Sequence, residues 1–508
     1  MGGMWSSGYA LPTQPPPPAD LDAEVNKTDY ADLAKYDWPF ENLVLEGGGT
    51  KGTAYPGALQ VLEDVGILQS IKRFGGASAG ACVAGLLSLG YKPGDIAALL
   101  NLDQKSITDD AWGGYLSLLP NFLRMFGWNP GEKYLSVLKM YVEHKTGNPD
   151  YTFKQLYDDK KVELCIICAN VSKKGIEYFH PKTTPDVPIA LAMRMSASIP
   201  GYFQPKVIEI KGRKHYYVDG GMLCNYPIHA FDGWFLSLRP KDTFFKKLGT
   251  EEDPFDRPTG EPSGDPNVRH RHETIGMVLY STDELDLMKV GTNTRDLAEK
   301  ATRQRPDTPL AKLRGQMMDE VKSEVDRKSQ VIHAAQSLFR SFAENDLNRD
   351  GRISLTEYQR AMKELQSRDP TSVRVLFGDS FDMDASFTEL DYNEDKMVTA
   401  TEFMTFLENK GVVSPLEYIL DVSNTPIQSL QDYIGALLST YDVSSQRQYV
   451  KASDSERTIG ICTDYISTLD MDMEEQDKIF LRKQGRSGTT AFLREYAKKC
   501  NIPLKTEE

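Results

Sequence analysis

The stretch LVLEGGGTKG, residues 43–52, places a glycine-rich turn directly after a short apolar run. The run Leu43–Leu45 predicts a buried strand, and the apolar spacing that follows the turn predicts a helix. Gly47, Gly49 and Gly52 fit the pattern G-x-G-x-x-G, which is typical of a dinucleotide site between a strand and a helix. The same arrangement aims backbone N–H groups at other anions, including the oxyanion of a hydrolase. The glycines alone fit both kinds of site.

The composition is that of an ordinary globular protein. Of the 508 residues, 40% are hydrophobic and 26% are charged, and the formal net charge is -14. Nucleic-acid binding requires basic patches, so we expect no nucleic-acid partner. The sequence contains no run of about 18 apolar residues, so we expect no membrane-spanning helix. The N-terminus lacks the basic start and apolar core of a secretory signal.

The six cysteines are scattered along the chain and do not form a disulfide framework. Cys165 and Cys168 lie in VELCIIC, a run that predicts a strand, and residues three apart on a strand point to opposite faces. We therefore expect buried, reduced thiols rather than a metal site. Reduced thiols indicate a reducing compartment, and we expect a cytoplasmic protein that associates peripherally with membranes.

The spacing of apolar residues divides the chain into four parts. We expect a disordered Pro-rich N-terminus over 1–38, an α/β domain over 39–285, a charged helical part over 286–415 and a last part with helical and strand-like runs over 416–508. Strand-like runs alternate with helical ones, which predicts an α/β fold with a largely parallel sheet. The predicted strands are Leu43–Leu45, Ile71–Phe74, Val162–Ala169, His215–Val218, Thr274–Tyr280 and Glu456–Thr463.

A serine between glycines follows the second predicted strand. The sequence GGASAG, residues 75–80, contains G-x-S-x-G, the nucleophile elbow of many hydrolases. The residues beside Ser78, Gly76 and Gly80 among them, are small enough for the sharp strand-to-helix turn that an elbow requires. A dinucleotide site would place a carboxylate near this strand end, and none is present.

A catalytic serine requires a base, and none of the seven histidines lies in a distinctive motif. The sequence YYVDGG, residues 216–221, instead places Asp219 at a predicted strand end before two glycines. A buried carboxylate within hydrogen-bond reach of Ser78 could accept its proton. Taken alone, Asp-Gly-Gly is also typical of a simple turn.

With GGGTKG, GASAG and DGG in this order, the chain resembles the patatin-like phospholipases. MSASIPGYFQP at 195–205 and ERTIGICTDYISTLDMDM at 456–473 are similar to the same family, and the resemblance covers about residues 40–285 and 420–500. It implies a patatin-like sheet flanked by helices and hydrolysis of membrane phospholipid or another acyl lipid. Where the family often has Asp-Gly-Ala, this chain has Asp-Gly-Gly.

The resemblance also implies roles for individual residues. Ser78 would be the nucleophile and Asp219 the base of a Ser-Asp dyad that lacks histidine. The glycine turn would be the oxyanion hole, and its residues are Gly47, Gly48, Gly49, Lys51 and Gly52. Lys51 has an alternative interpretation as an ordinary exposed lysine.

Because the resemblance stops before the helical part and resumes after it, it implies that residues 286–415 are an insertion and that residues 416–508 are the rest of the α/β domain. The insertion contains DLNRDGRISLTE, residues 346–357, which fits the EF-hand loop pattern. Helical patterns flank this stretch on both sides. Gly351 occupies the position of the sharp turn. The expected calcium ligands are the side chains of Asp346, Asn348 and Asp350, the carbonyl of Arg352, Ser354 through a water, and both carboxylate oxygens of Glu357.

A second loop, DYNEDKMVTATE, spans residues 391–402 and departs from the pattern at one position. Lys396 stands where the pattern has glycine, and positive φ at a lysine costs on the order of 1 kcal/mol. We therefore expect weaker calcium binding here, and pairing of Ile353 with Val398 in a short ladder between the loops. The alternative is a pair that folds but binds little calcium. The expected ligands are Asp391, Asn393, Asp395, the carbonyl of Met397, Thr399 and Glu402.

Two features indicate membrane contact. The run WGGYLSLLPNFLRMFGW, residues 112–128, is rich in large apolar residues and predicts a lid or an interfacial element, with a helix packed on the core as the alternative. The start MGGMWS fits the N-myristoylation pattern at Gly2, although one acyl chain alone gives marginal membrane binding.

We therefore expect a calcium-responsive lipid acyl hydrolase of the phospholipase or lysophospholipase type, made of a patatin-like α/β domain with an inserted all-helical EF-hand module at about 330–410. One alternative is a non-catalytic calcium-dependent membrane-binding protein on the same fold. Another is an oxidoreductase that binds a dinucleotide at Gly47–Gly52. The presence of both Ser78 and Asp219 favours the hydrolase over the non-catalytic alternative, and the missing carboxylate at the second strand end disfavours the oxidoreductase.

Overall fold

A computed structural model describes residues 11–24, 29–210, 212–250, 254–255, 273–281, 304–410, 450 and 452–505. The N-myristoylation pattern at residues 1–6 lies outside the described residues. None of the described helices is long and apolar enough to cross a lipid bilayer.

The described strands form one large sheet and two short ladders. The large sheet has eight strands in the order β12-β9-β1-β2-β4-β8-β7, with β5 paired to β4. The ladders pair β3 with β6 and β10 with β11. The strands are β1 (Asn42–Leu45), β2 (Arg73–Ala77), β3 (Gly127–Asn129), β4 (Glu163–Asn170), β5 (Gly175–Phe179), β6 (Gly201–Phe203), β7 (Lys206–Ile210), β8 (Arg213–Asp219), β9 (Thr274–Ser281), β10 (Ile353–Ser354), β11 (Met397–Val398) and β12 (Thr458–Asp464).

The described helices lie before, between and after these strands. They are α1 (Tyr55–Asp64), α2 (Ser78–Ser88), α3 (Pro93–Asn101), α4 (Gln104–Thr108), α5 (Leu118–Met125), α6 (Glu132–Thr146), α7 (Phe153–Lys160), α8 (Ile189–Ser196), α9 (Gly221–Cys224), α10 (Phe244–Lys247), α11 (Pro309–Asn345), α12 (Leu355–Arg368), α13 (Pro370–Phe377), α14 (Met383–Leu390), α15 (Ala400–Asn409) and α16 (Glu475–Lys499).

The large sheet is mixed rather than largely parallel. The pairs β12–β9, β9–β1, β1–β2 and β2–β4 are parallel, as expected from alternating strands and helices. The pairs β4–β5, β4–β8 and β7–β8 are antiparallel. Strands β5 and β7 were not predicted, because their residues are mostly half-buried or exposed and lack a continuous apolar run.

Close approach of helices α1 and α16 depends on glycine. A Cβ on Gly57 would lie 1.9 Å from the carbonyl oxygen of Arg482, and one on Gly485 would lie 2.1 Å from that of Ala54. Neither position leaves room for a side chain, so both glycines fix how these helices pack. Helix α16 also contacts β12, and helices α2 and α8 contact β4.

The described part of the N-terminus, residues 11–24 and 29–38, differs from the expectation of disorder. The amide of Ala19 donates to the carbonyl of Gly94 at 3.0 Å, and Leu21 is buried. Glu24 accepts a hydrogen bond from the buried guanidinium of Arg482 at 2.7 Å. An apolar anchor and a charge-assisted hydrogen bond therefore hold this segment on the domain.

The chain forms two compact units. One comprises Met1–Ser281, Lys289–Arg314 and Pro426–Glu508, and the other comprises Thr282–Met288 and Gly315–Thr425. The second unit is helical in its described part, apart from the β10–β11 ladder, and has its own hydrophobic core. Fully buried members of that core include Leu338, Tyr358, Met362, Leu365 and Leu390.

Candidate active site

Ser78 lies on a strained turn between β2 and α2. Its φ is +50°, a value that L-residues rarely adopt. A Cβ on Gly76 would lie 2.6 Å from the backbone of Gly80, and one on Gly80 would lie 2.4 Å from the carbonyl oxygen of Leu45. Glycine is therefore required on both sides of the serine. Ser78 itself is only 8% exposed.

The structure brings Ser78 and Asp219 into direct contact. The hydroxyl of Ser78 donates to Oδ2 of Asp219 at 2.7 Å. Asp219 ends β8, and its amide donates to the carbonyl of Ser198 at 2.9 Å. Its other carboxylate oxygen accepts from the amide of Gly221 at 2.8 Å. The carboxylate is thus fixed at both oxygens and can receive a proton from the serine.

Burial sets the acidity of Asp219. Desolvation raises its pKa from 3.8 to about 7, because the charged carboxylate loses water. The hydrogen bonds from Ser78 and Gly221 and the charge of Arg194 act in the opposite direction. A carboxyl group that titrates near neutral pH suits a general base.

The glycine turn differs in one respect from the expected oxyanion hole. The amide of Gly47 donates to the carbonyl of Asn225 at 3.1 Å, so it is not free to bind an oxyanion. Among the described residues, the amides of Gly48 and Gly49 donate to no acceptor. Gly47 has a steric role instead, because a Cβ there would lie 2.8 Å from Cβ of Ser78.

Gly52 and Lys51 are the other two residues of the predicted oxyanion hole. Gly52 lies against helix α2, and Lys51 lies inside the domain. Gly52 approaches α2 so closely that a Cβ would lie 3.3 Å from Cβ of Ala79. Lys51 is 3% exposed, which contradicts its interpretation as an exposed lysine.

Within the described residues no histidine contacts Ser78. His144 contacts Tyr91, His180 contacts Glu163, His215 contacts Asn170 and His229 contacts Tyr178.

The sequence did not single out the residues that hold the dyad in place. Ser196 accepts a hydrogen bond from the amide of Ser78 at 2.8 Å and donates to the carbonyl of Ile167 at 2.6 Å. Arg194 donates to the hydroxyl of Ser198 at 2.5 Å and to the carbonyl of Gly131 at 3.0 Å. Arg194, Ser196 and Ser198 lie in or beside the segment MSASIPGYFQP. The similarity of this segment to the patatin-like family was the only feature of the sequence that indicated them.

The two predicted calcium loops have closely similar geometry. Gly351 and Lys396 both have positive φ, +73° and +66°. The amide of Gly351 donates to Asp346 at 3.1 Å, and that of Lys396 donates to Asp391 at 2.9 Å. The ladder pairs Ile353 with Val398, as the sequence predicted. The strain expected at Lys396 is thus present in the backbone.

Two carboxylate oxygens in these loops are suited to bind a cation. Oδ1 of Asp346 and Oε1 of Glu402 are buried and lack a hydrogen-bond partner. Such oxygens fit Ca²⁺, which prefers carboxylate and carbonyl ligands. The other carboxylate oxygen of Glu402 accepts from Thr399, whereas both oxygens of Glu357 accept hydrogen bonds, one from Leu347 and one from Ser354. Among the described residues, no three Asp, Glu, His or Cys side chains are already gathered as a metal site.

Residues 112–126, here called the apolar segment, expose many large side chains. No residue of α5, which lies in this segment, is buried, so the alternative of a helix packed on the core is wrong. Strand β3 directly follows the apolar segment and pairs with β6. Strand β6 comes soon after Ser196 and Ser198, two of the residues that hold the dyad in place. The exposed side chains are Trp112, Leu116, Leu118, Leu119, Phe122, Leu123, Met125 and Phe126.

Comparisons with known proteins find a matching family model and two similar viral proteins. The family model for patatin-like phospholipases matches residues 43–232. A probable lipid hydrolase of Invertebrate iridescent virus 6 is 30% identical over 41% of this chain and 68% of its own length. An uncharacterized protein of Acanthamoeba polyphaga mimivirus is 31% identical over 38% of this chain and 61% of its own length. The chain thus spans 61% to 68% of the length of these relatives.

Solved structures share a more distant likeness. The crystal structure of VipD from Legionella pneumophila is 14% identical, covers 91% of this chain and 68% of its own, and gives a TM-score of 0.38. This score is too low to bear on the function.

Proposed function

The chain belongs to the patatin-like phospholipase family, and from that premise we propose that it is a lipid acyl hydrolase with a Ser78–Asp219 dyad. The observation that carries the proposal is the 2.7 Å hydrogen bond between the two side chains. A strained, buried serine beside a carboxyl group whose pKa is near neutrality has the parts that acyl transfer requires.

The first half of the reaction forms an acyl-enzyme. Oγ of Ser78 attacks the ester carbonyl carbon while its proton passes to Oδ2 of Asp219. The negative charge that develops on the carbonyl oxygen is stabilised by the amides of Gly48 and Gly49. When the intermediate collapses, the bond between the carbonyl carbon and the alcohol oxygen of the ester breaks. Asp219 then donates its proton to that alcohol oxygen.

The second half releases the fatty acid. Water attacks the acyl-enzyme carbonyl, and Asp219 takes a proton from it. The bond to Oγ of Ser78 then breaks, the serine recovers its proton from Asp219, and the free acid leaves. The same two side chains serve both halves, so a histidine is not required.

The dinucleotide alternative is disfavoured by two contacts. Directly after β2, where a ribose-binding carboxylate would lie, the chain has Ser78, whose hydroxyl donates to Asp219. The amide of Gly47 is bound to Asn225 and cannot bind a pyrophosphate.

The apolar segment gives the enzyme a route to lipid. We propose that it enters the headgroup boundary of a membrane, because it exposes Trp112 and Leu116 at more than nine-tenths of their area. The net charge of -14 gives no general attraction to anionic lipid, so apolar burial carries the binding. The enzyme would then be peripheral on the cytoplasmic side, and myristoylation at Gly2 remains a prediction.

We also propose that the second unit contains an EF-hand pair that binds calcium and regulates hydrolysis. Support comes from the ligand pattern, the matching loop geometry and the unpartnered oxygens of Asp346 and Glu402. Calcium would be held by the residues predicted from the two loops, and Glu357 would have to exchange its backbone hydrogen bonds for the ion. Bound calcium would supply positive charge that orders these side chains.

Hydrolysis of a panel of phospholipids, lysophospholipids and a water-soluble ester tests the enzyme proposal. Ser78→Ala is expected to abolish turnover of each substrate that the wild type hydrolyses. Ser88→Ala, which removes a hydroxyl from the other end of the same helix, is the matched control and should retain activity. A folded Ser78→Ala protein with wild-type turnover would refute the dyad, and calcium-dependent membrane binding without turnover would favour the non-catalytic alternative.

A further inference from the structure

The loop after β12 lies directly on the glycine turn. This loop, residues 464–471, is here called the support loop. The amide of Thr50 donates to the carbonyl of Thr468 at 3.0 Å, and the Thr50 hydroxyl donates to the carbonyl of Ser467 at 2.8 Å. Gly49 has φ of +54°, and a Cβ there would lie 2.2 Å from the Thr468 carbonyl oxygen. The turn and the loop are therefore in close contact, and movement of one displaces the other.

Two arginines outside the loop hold it at both ends. Arg305 donates to both carboxylate oxygens of Asp464, at 2.5 and 2.9 Å. Arg314 donates to Oδ2 of Asp470 at 2.5 Å and to the hydroxyl of Ser467 at 3.2 Å. Asp464 has φ of +55°, a value that L-residues rarely adopt.

A series of three hydrogen bonds connects Arg314 to the glycine turn. The Asp470 oxygen that accepts from Arg314 also accepts from the amide of Ser467 at 2.7 Å. The Ser467 carbonyl then accepts from Thr50. The Asp470 side chain is 6% exposed, so loss of the guanidinium would leave a carboxylate buried without that partner.

Arg314 is itself fixed because it belongs to the first turns of α11. The hydroxyl of Thr308, just before this helix, donates to Asp477 at 2.6 Å. Asp477 also accepts from the hydroxyl of Tyr465 in the support loop at 2.6 Å. The start of α11, the support loop and the start of α16 therefore share one network of hydrogen bonds.

We propose that Arg314 is a positioning residue for the oxyanion hole: through Asp470 and Ser467 it holds the glycine turn in the shape that directs the Gly48 and Gly49 amides at the substrate. This inference rests on the proposed hydrolase function and extends it to a residue outside the family's matched region. Small displacements of catalytic groups lower kcat steeply, by as much as about 100-fold for 1 Å.

The test compares variants on a water-soluble ester, so that membrane binding does not affect the rates. Arg314→Gln is expected to lower kcat about 10-fold with KM unchanged, because binding groups stay in place while the oxyanion donors shift. Arg314→Lys, which keeps the charge, should recover most of the loss. Lys312→Gln is the matched control on the same helix, since its ion pair with Asp307 is exposed.

Hydrogen exchange gives a readout that does not depend on turnover. Amides of the peptide containing residues 47–52 should exchange faster in Arg314→Gln than in Lys312→Gln, since their contact with the support loop is loosened. If Arg314→Gln does not fold, Thr50→Val provides a second test. It removes only the hydroxyl donor to Ser467 and should also lower kcat at constant KM.

The outcomes separate this inference from the enzyme proposal. Wild-type hydrolysis that Ser78→Ala abolishes, with kcat and exchange unchanged in folded Arg314→Gln or Thr50→Val, would overturn the inference alone. A rise in KM at constant kcat would overturn it as well. If the wild type hydrolyses no ester, the proposed function fails and the inference fails with it.

Discussion

Burial of a single carboxyl group determines how the proposed reaction depends on pH. Only ionised Asp219 can accept the Ser78 proton, and its pKa is raised to about 7. We therefore expect kcat/KM on a soluble ester to rise with pH and to reach half its maximum near pH 7. A pH–rate profile measures this directly. A profile that is flat between about pH 5 and pH 9 would show that Asp219 is not the base.

The same pKa predicts an effect on stability. Because the folded-state pKa lies above the ordinary value of 3.8, protonated Asp219 favours the folded protein. That contribution is complete below 3.8 and is lost as the pH rises through about 7. At pH above about 8, neutral Asp219→Asn should melt at a higher temperature than the wild type while losing hydrolysis. An unchanged or lower melting temperature would contradict the burial argument.

Among the structural elements, the apolar segment should control lipid binding without affecting chemistry. Trp112→Ser with Leu116→Ser is expected to lower binding to phosphatidylcholine vesicles at least 10-fold, because large exposed apolar groups drive interfacial binding. Hydrolysis of a soluble ester should stay within about 2-fold of wild type. Phe245→Ser is the control, since Phe245 is 96% exposed and lies outside the segment. Equal vesicle binding by the wild type, the double variant and Phe245→Ser would contradict the membrane proposal.

The two calcium loops should differ in affinity. Glu357→Gln is expected to weaken the tighter site more than about 10-fold, because it removes the bidentate carboxylate, and Glu402→Gln should affect only a weaker site. Lys396→Gly should strengthen the second site, since it relieves positive φ at a lysine. Calorimetric titration measures both sites, with Asp384→Asn in α14 as a control. If Lys396→Gly leaves the calcium affinity of the second loop unchanged, backbone strain at residue 396 does not limit calcium binding there.

The elements that the sequence predicted well are those determined by adjacent residues. The apolar runs predicted β1, β4 and β9 within about one residue, because buried strands of a parallel sheet are continuously hydrophobic. The elbow and the glycine turn were also readable, since their backbone shapes demand glycine. The contacts of Gly47 with Asn225 and of Thr50 with Ser467 join residues far apart in the chain. No local pattern could predict these contacts.

At the scale of the whole molecule, one helix offers a covalent route for calcium regulation. Helix α11 begins at Pro309 beside the support loop and ends at Asn345, immediately before the first calcium loop. A change in the helix angles of the second unit on calcium binding would act on this helix. We expect calcium to change the rate of soluble-ester hydrolysis about 5-fold or more, and Glu357→Gln to remove most of the effect. Tight calcium binding with a constant rate would refute the regulatory role.

The central claim is that an acyl group passes through Ser78, and trapping that group tests it most directly. The wild-type protein is mixed with an acyl ester, quenched in acid before turnover is complete, digested and analysed by mass spectrometry. We predict the added mass of one acyl group on the peptide that contains Ser78, and no such adduct in Ser78→Ala. Steady ester hydrolysis with the acyl group on another residue, or equal turnover in Ser78→Ala, would contradict the account.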